Sequence, residues 1–222
     1  FQSWAQVQCP GPEGDLVDTG LQIQASPGST DLRVAGFEEC AVQENVISFL
    51  SRQEWRTLGE QEVDAGIPLE HRDDAFALTA TWFDRKTGRI LGADIEFNAS
   101  LGKFAECPDD GCSSASNSVD LANVLAHEVG HFLGLAHSQE REATMYWSAP
   151  TAEVKKRSLE ADDEAGLCAL FPPEDREMRE EEALVADRQI QCLGQPAAAS
   201  CDARPPGPWS SLRGTIAPLI AL

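Results

Sequence analysis

Residues 127–138 read HEVGHFLGLAHS and hold three of the four histidines of a 222-residue chain. On an α-helix, side chains four positions apart lie roughly 40° apart around the axis and about 6 Å along it. His127 and His131 therefore project from one helix face toward a common point. A continuing helix would rotate residue 137 away from that point. Gly134 tolerates a left-handed backbone, which ends the helix and turns His137 back toward the other two. The segment is expected to fold as a helix with one core face, followed at once by a reversal that requires the glycine.

Three imidazoles converging on one point suit a catalytic zinc, which takes three protein ligands and keeps a fourth position for water. A structural zinc would need a fourth Cys or His, and this segment has none. Glu128 lies about 100° round the helix from His127, poorly placed as a ligand. It is well placed to take a proton from a zinc-bound water, whose pKa the metal lowers to about 7. The expected chemistry is attack of that water on a peptide carbonyl, with Glu128 passing the proton to the leaving amine. Leu121, Ala122, Leu125, Val129 and Phe132 form the expected apolar stripe on the far side of the helix. Ala126 and Gly130 are small enough to let other segments approach closely.

The chain carries 37 acidic and 17 basic side chains, a formal charge of −20. That balance argues against nucleic acid as a partner, because phosphates would be repelled. A solvated acidic surface is the preferred reading of the charge. Seven cysteines fit a secreted protein better than a reduced compartment. Cys9 with Cys40, Cys107 with Cys112 and Cys192 with Cys201 are plausible local bridges that leave Cys168 over, although connectivity stays open from sequence alone. No apolar run is long enough to cross a membrane, and no signal peptide is visible. The opening FQSWAQV has the pattern of a helix already under way, with Phe1, Trp4 and Val7 on one face, so the chain is expected to start inside its domain.

GLQIQAS (20–26) and ENVISFL (44–50) read as strands. AFALTATWF and RILGADIEFN flank DRKTG and read as a β-hairpin. Residues 102–117 read as loop. The histidine-bearing helix is expected to open at Ser118 as N-cap, with Asp120 in its first turn, and to run to about Leu133. A last helix, LEADDEAGLCALF, ends before Pro172-Pro173. From residue 173 the composition turns acidic and then Pro/Ala-rich: EDREMREEEALVADRQ reads as an exposed helix, the rest as linker ending in a short apolar IAPLIAL.

HEVGHFLGLAHS with Met145 eight residues after His137 resembles the metzincin signature with its Met-turn. Ser138, EATMYW and SLEADDEAGLCALFP resemble the matrixin branch, and the likeness is nearest to secreted bacterial matrixin-like proteases. The resemblance implies an α+β zincin-like fold: a twisted mixed sheet, an active-site helix and a C-terminal helix, with a first strand expected before Phe1. It implies a catalytic domain over 1–172, divided into an upper subdomain (1–136) and a lower subdomain (137–172), followed by a tail, 173–222. ADIEFN (93–98) resembles the edge strand above the cleft, where a substrate peptide would add, and the loop 147–157 would shape the pocket beside it. Met145 would lie under the three histidines as a base without ligating.

The motif and the resemblance together call for one catalytic zinc on His127, His131 and His137, with Glu128 as base. Expected too are a protein or peptide substrate, secretion and a monomeric state. The family's second, structural zinc is not expected, and His71 reads as a surface loop residue. Asp94, Asp109 and Asp110 are candidates for calcium, against the preferred reading of solvated loop acids, since no spaced calcium-loop motif is present. A catalytically silent binding module and a zinc amidase or esterase on non-peptide substrates are the alternatives.

Overall fold

One tryptophan anchors the start of the chain. The computed structural model describes residues 1–23, 45–64, 70–84, 86–113 and 117–173, and in it helix α1 is a single turn, Gln2–Ala5. Trp4 from this turn is fully buried, Val7 follows it into the core, and the indole N–H donates to the Ala126 carbonyl at 2.8 Å. Strands β1 (Gln8–Pro10) and β2 (Leu16–Asp18) then pair antiparallel. The expected strand at 20–26 does not form over residues 20–23, and 24–26 lie outside the described residues. Gly20 takes φ +73°, and its N–H is drawn to Asp18 Oδ1 at 2.6 Å, which turns the chain out of the extended conformation.

Strand β3 (Ile47–Leu50) forms within the segment expected as a strand, 44–50, and leads into helix α2 (Arg52–Asp64), which the sequence reading missed. Its start carries a reciprocal cap: the Ser51 N–H donates to Glu54 Oε2 at 2.8 Å, and the Glu54 N–H donates to Ser51 Oγ at 3.3 Å. The S-x-x-E spacing was the available signal. Strands β4 (Ala77–Phe83) and β5 (Ile90–Asn98) make the expected antiparallel hairpin, with Gly88 at φ +75° in the turn.

The sheet order is β3-β5-β4, with β3 parallel to β5. ADIEFN therefore lies in the middle of the sheet, hydrogen-bonded on both sides, and the expectation that it forms the edge is corrected. Its inward residues explain the placement, since residues 92–98 are all buried and Phe97 is fully enclosed. A strand buried on both faces belongs in a sheet interior. Among the described residues the edge beside the histidine helix is β4.

The stretch 102–117 is not all loop. Strand β6 (Lys103–Ala105) pairs parallel with β7 (Ser118–Asp120). Ser118 is thus a strand residue, and the N-cap of helix α3 (Leu121–Phe132) is Asp120, which accepts the Asn123 N–H at 2.7 Å. The stripe expected on α3 is also revised. Val129 is fully buried and Val124 joins it, Leu121, Leu125 and Phe132 are half-buried against the core, and Ala122 is exposed. The helix is covered from more than one side, chiefly by β4 and by the turn at residues 155–157, so no single stripe describes it.

Helix α4 (Ala161–Leu170) closes the described chain with the expected acids in its first turn and a capping box between Glu160 and Asp163. Cys9 is bonded to Cys168, which overturns the Cys9–Cys40 pairing, while Cys107–Cys112 forms as expected. Spacing favoured a near partner for Cys9, but the packing of α4 against β1 brings a distant one to it. Cys40 and the pair Cys192–Cys201 lie outside the described residues, as does the tail helix expected after 173.

Candidate active site

Gly134 takes φ +102° and ends α3 as the spacing requires. The Gly134 N–H donates to the His131 carbonyl and the Leu135 N–H to the Gly130 carbonyl, both at 2.9 Å, the paired bonds of a Schellman motif. This turn also aims the Leu135 carbonyl at the His131 ring, whose Nδ1 lies 2.8 Å from it. His127 Nδ1 is held in the same manner by the Thr144 carbonyl at 2.7 Å. A carbonyl only accepts, so both rings carry their proton on Nδ1 and present Nε2 as a lone pair.

The chain folds back so that His131 Nε2 lies 3.2 Å from His137 Nε2, and the candidate ligand atoms of His127, His131 and His137 all fall within 4.8 Å of one another. Burial lowers the pKa of all three rings, to about 4 at His137, so they are neutral ligands at physiological pH. Three neutral imidazoles with converging nitrogens, two of them with tautomers fixed by backbone carbonyls, are a donor set that fits zinc. Among the described residues no other three metal-capable side chains converge in this way.

Met145 is buried, and a β-carbon on Gly130 would overlap its sulfur. The glycine therefore lets the methionine pack directly on the helix. The turn that carries it is fixed by α4: Asp163 accepts the Thr144 N–H at 2.7 Å and the Met145 N–H at 2.9 Å. Ser138 is tied to the same turn, its N–H donating to the Met145 carbonyl at 2.8 Å and its hydroxyl to Asp162 at 2.5 Å. The adjacent aspartates of ADDEAG thus hold the backbone whose Thr144 carbonyl orients His127.

Glu128 is buried next to His127. Burial outweighs both its bond to Thr79 and the charge of Lys156, raising its carboxyl pKa to about 7. Thr79, from β4, lies with its hydroxyl 2.7 Å from Glu128 Oε2 and was not singled out from the sequence. Lys156 was also missed. It is buried, its N–H donates to Asn123 Oδ1 at 2.8 Å, its ammonium donates to the Tyr146 carbonyl, and burial pushes its pKa down to about 8. Polar residues in ALTATWF and KKRS gave no sequence signal of these roles, because their partners are far along the chain.

His71 is not a surface residue. It is 3% exposed, with Nδ1 2.7 Å from Glu62 Oε1 and Nε2 2.5 Å from Glu96 Oε2. Both ring nitrogens are engaged by carboxylates. Of the calcium candidates, Asp94 is no solvated loop acid: it is buried and accepts the Val46 N–H at 3.0 Å, while Asp109 pairs with Arg157 at 3.3 Å. Asp110 is exposed.

A family model described as Matrixin matches residues 40–172, more than half of the chain. Metalloendoproteinase 1-MMP of Arabidopsis thaliana is 45% identical over 65 residues, covering 29% of this chain and 18% of that protein. Matrix metalloproteinase-19 of Homo sapiens is 34% identical over 140 residues, 59% of this chain and 26% of that one. Neutrophil collagenase of Homo sapiens is 34% identical over 84 residues, 38% and 16% respectively. The aligned stretch is about a quarter or less of each relative's length. These are plant and animal proteins, so the expected nearness to bacterial members finds no support among them. The helix with its histidine trio, the mixed sheet, the closing helix and the match over residues 40–172 agree: the chain belongs to the matrixin family.

Proposed function

We propose that the chain is a secreted zinc-dependent endopeptidase acting on protein substrates. The observation that carries this reading is the convergence of three neutral imidazoles beside a buried carboxylate, with two of the rings locked by backbone carbonyls. His127, His131 and His137 would hold one zinc, which supplies Lewis-acid polarisation of a peptide carbonyl and acidifies water. Glu128 takes the proton of the attacking water and delivers it to the departing amine, alternating between base and acid. Met145 supports the trio from beneath and contributes no donor to it.

The unit responsible is residues 1–172, with 173–222 as a tail. Trp4 in the core and the Cys9–Cys168 bridge support including the first residues, although the family match begins at 40. A substrate segment adds as a strand to β4, which among the described residues is the edge beside the histidine helix, through backbone hydrogen bonds. The turn after Met145 borders that path, where Trp147 is 64% exposed. The disulfides fit an oxidising, extracellular compartment. No helix among the described residues is long and apolar enough to cross a membrane.

The test is Glu128→Ala assayed on casein and a peptide library. Zinc content should match the parent and turnover should fall about 10²–10⁴-fold, the usual scale of general acid–base catalysis. Undiminished turnover would overturn the assigned base. Folded, zinc-loaded parent protein that cleaves no peptide would favour a binding module or a non-peptide hydrolase.

A further inference from the structure

Glu128 has to do its work from a buried position, and a glutamate has three side-chain torsions to fix before its carboxylate faces one way. Its own helix cannot fix them, because neighbours at i±3 and i±4 on α3 are apolar or small, apart from His131. The structure supplies a fixing contact from another element. Thr79 Oγ lies 2.7 Å from Glu128 Oε2 and 3.1 Å from the Glu128 backbone carbonyl. A threonine hydroxyl has one proton to donate, and the shorter, charge-assisted contact takes it.

Thr79 is itself firmly placed. It sits within β4, paired opposite Ile95 of the central strand, and β4 packs on α3. Its β-branched side chain has few rotamers. A stiff side chain on a paired strand is the kind of support that holds a reacting group within a few tenths of an ångström.

We propose that Thr79 is the positioning residue of Glu128. By holding Oε2 it fixes the carboxylate plane and leaves Oε1, which has no hydrogen-bond partner among the described residues, as the oxygen that receives the proton. This rests on the reading of Glu128 as the base. Thr79 also lies on the strand to which a substrate segment would add, so substrate and base are referenced to one backbone.

The experiment compares Thr79→Val, Thr79→Ser and Glu128→Ala in the zinc-loaded chain of residues 1–222, with Thr79→Ala replacing the valine variant if that one fails to fold. The variants lacking the hydroxyl should lose about tenfold or more in kcat, the usual cost of removing an orienting partner. Their KM and zinc content should be unchanged, and serine should restore most of kcat. A second readout uses no turnover: unfolding midpoints of Thr79→Val, Glu128→Ala and the double variant form a cycle, in which a bonded pair gives non-additive shifts. Parental kcat without the hydroxyl, a serine variant as slow as valine, or strictly additive midpoints would each overturn the proposal. Turnover surviving in Glu128→Ala would sink the base assignment instead, and the unfolding cycle would still report whether the bond exists.

Discussion

At the scale of single residues, the histidine that does not face the metal site makes the clearest demand on the solution conditions. His71 sits between Glu62 and Glu96 with Trp55 edge-on to its ring. Burial disfavours the imidazolium, but the bonds and charges of the two carboxylates outweigh it and raise the pKa above 6.5. Glu62 balances the other way: burial opposes its charge, and the His71 contacts with two backbone N–H groups hold its pKa below 4.5. The histidine contribution is therefore complete below its unfolded pKa and lost as pH rises through the higher folded one. The glutamate contribution is complete above its unfolded pKa and lost as pH falls through the lower folded one. Both operate fully between about pH 4.5 and 6.5. The stability gap between the parent and His71→Gln, measured by urea unfolding, should shrink from pH 5.5 to pH 8.5. A constant gap would mean that the fold leaves the ring's pKa unchanged, and a gap that widens with pH would mean the ring is kept uncharged in the fold. The convergence of His127, His131 and His137 was legible in the sequence because helix pitch and one glycine bring them together locally. His71 and Thr79 were opaque because their partners lie 9, 25 and 49 positions away.

At the scale of elements, the active-site helix is positioned by what its small residues admit. A β-carbon at Gly130 would overlap the Met145 sulfur and come within 2.9 Å of Trp4, which is fully buried. Gly130→Ala gains about 1 kcal/mol of helix propensity but overpacks the contact with two enclosed side chains, a cost of roughly 1–3 kcal/mol. The net expectation is destabilisation, together with displacement of the turn that holds Thr144 against His127. Thermal unfolding and zinc competition against a chelator should both show a loss, and a variant as stable and as tight as the parent would show that the methionine relaxes freely. The elements themselves were unevenly legible. The β4–β5 hairpin showed through because alternation and a polar turn are local signals, whereas strand order is not. The edge expectation for ADIEFN fails because β3, remote in sequence, pairs with it, and nothing in the hexapeptide encodes that partner. Helix α2 was hidden by its polar composition, and its Ser51–Glu54 cap was the one visible mark.

At the scale of the whole molecule, two disulfides do unequal work. Cys107–Cys112 spans 5 positions and restricts little of the unfolded chain, while Cys9–Cys168 spans 159 and ties the start of the described structure to α4. In the chain-entropy account the stabilisation grows with the logarithm of loop length, to about 5 kcal/mol for the long closure and about 2 kcal/mol for the short one. The long bridge also joins the end that carries Trp4, bonded to the Ala126 carbonyl of the histidine helix, to the helix whose Asp163 holds the Met145 turn. Replacing both members of each pair by serine avoids a free thiol. The Cys9→Ser/Cys168→Ser protein should unfold at clearly lower denaturant than the Cys107→Ser/Cys112→Ser protein, and a non-reducing peptide map of the parent should join the Cys9 and Cys168 peptides. A map joining Cys9 to Cys40 would restore the pairing that spacing alone suggested and remove the link between the two ends. Equal midpoints would show instead that the hydrophobic packing of Trp4 and α4 already closes the loop before the sulfurs do, so that the covalent bond records the fold without stabilising it.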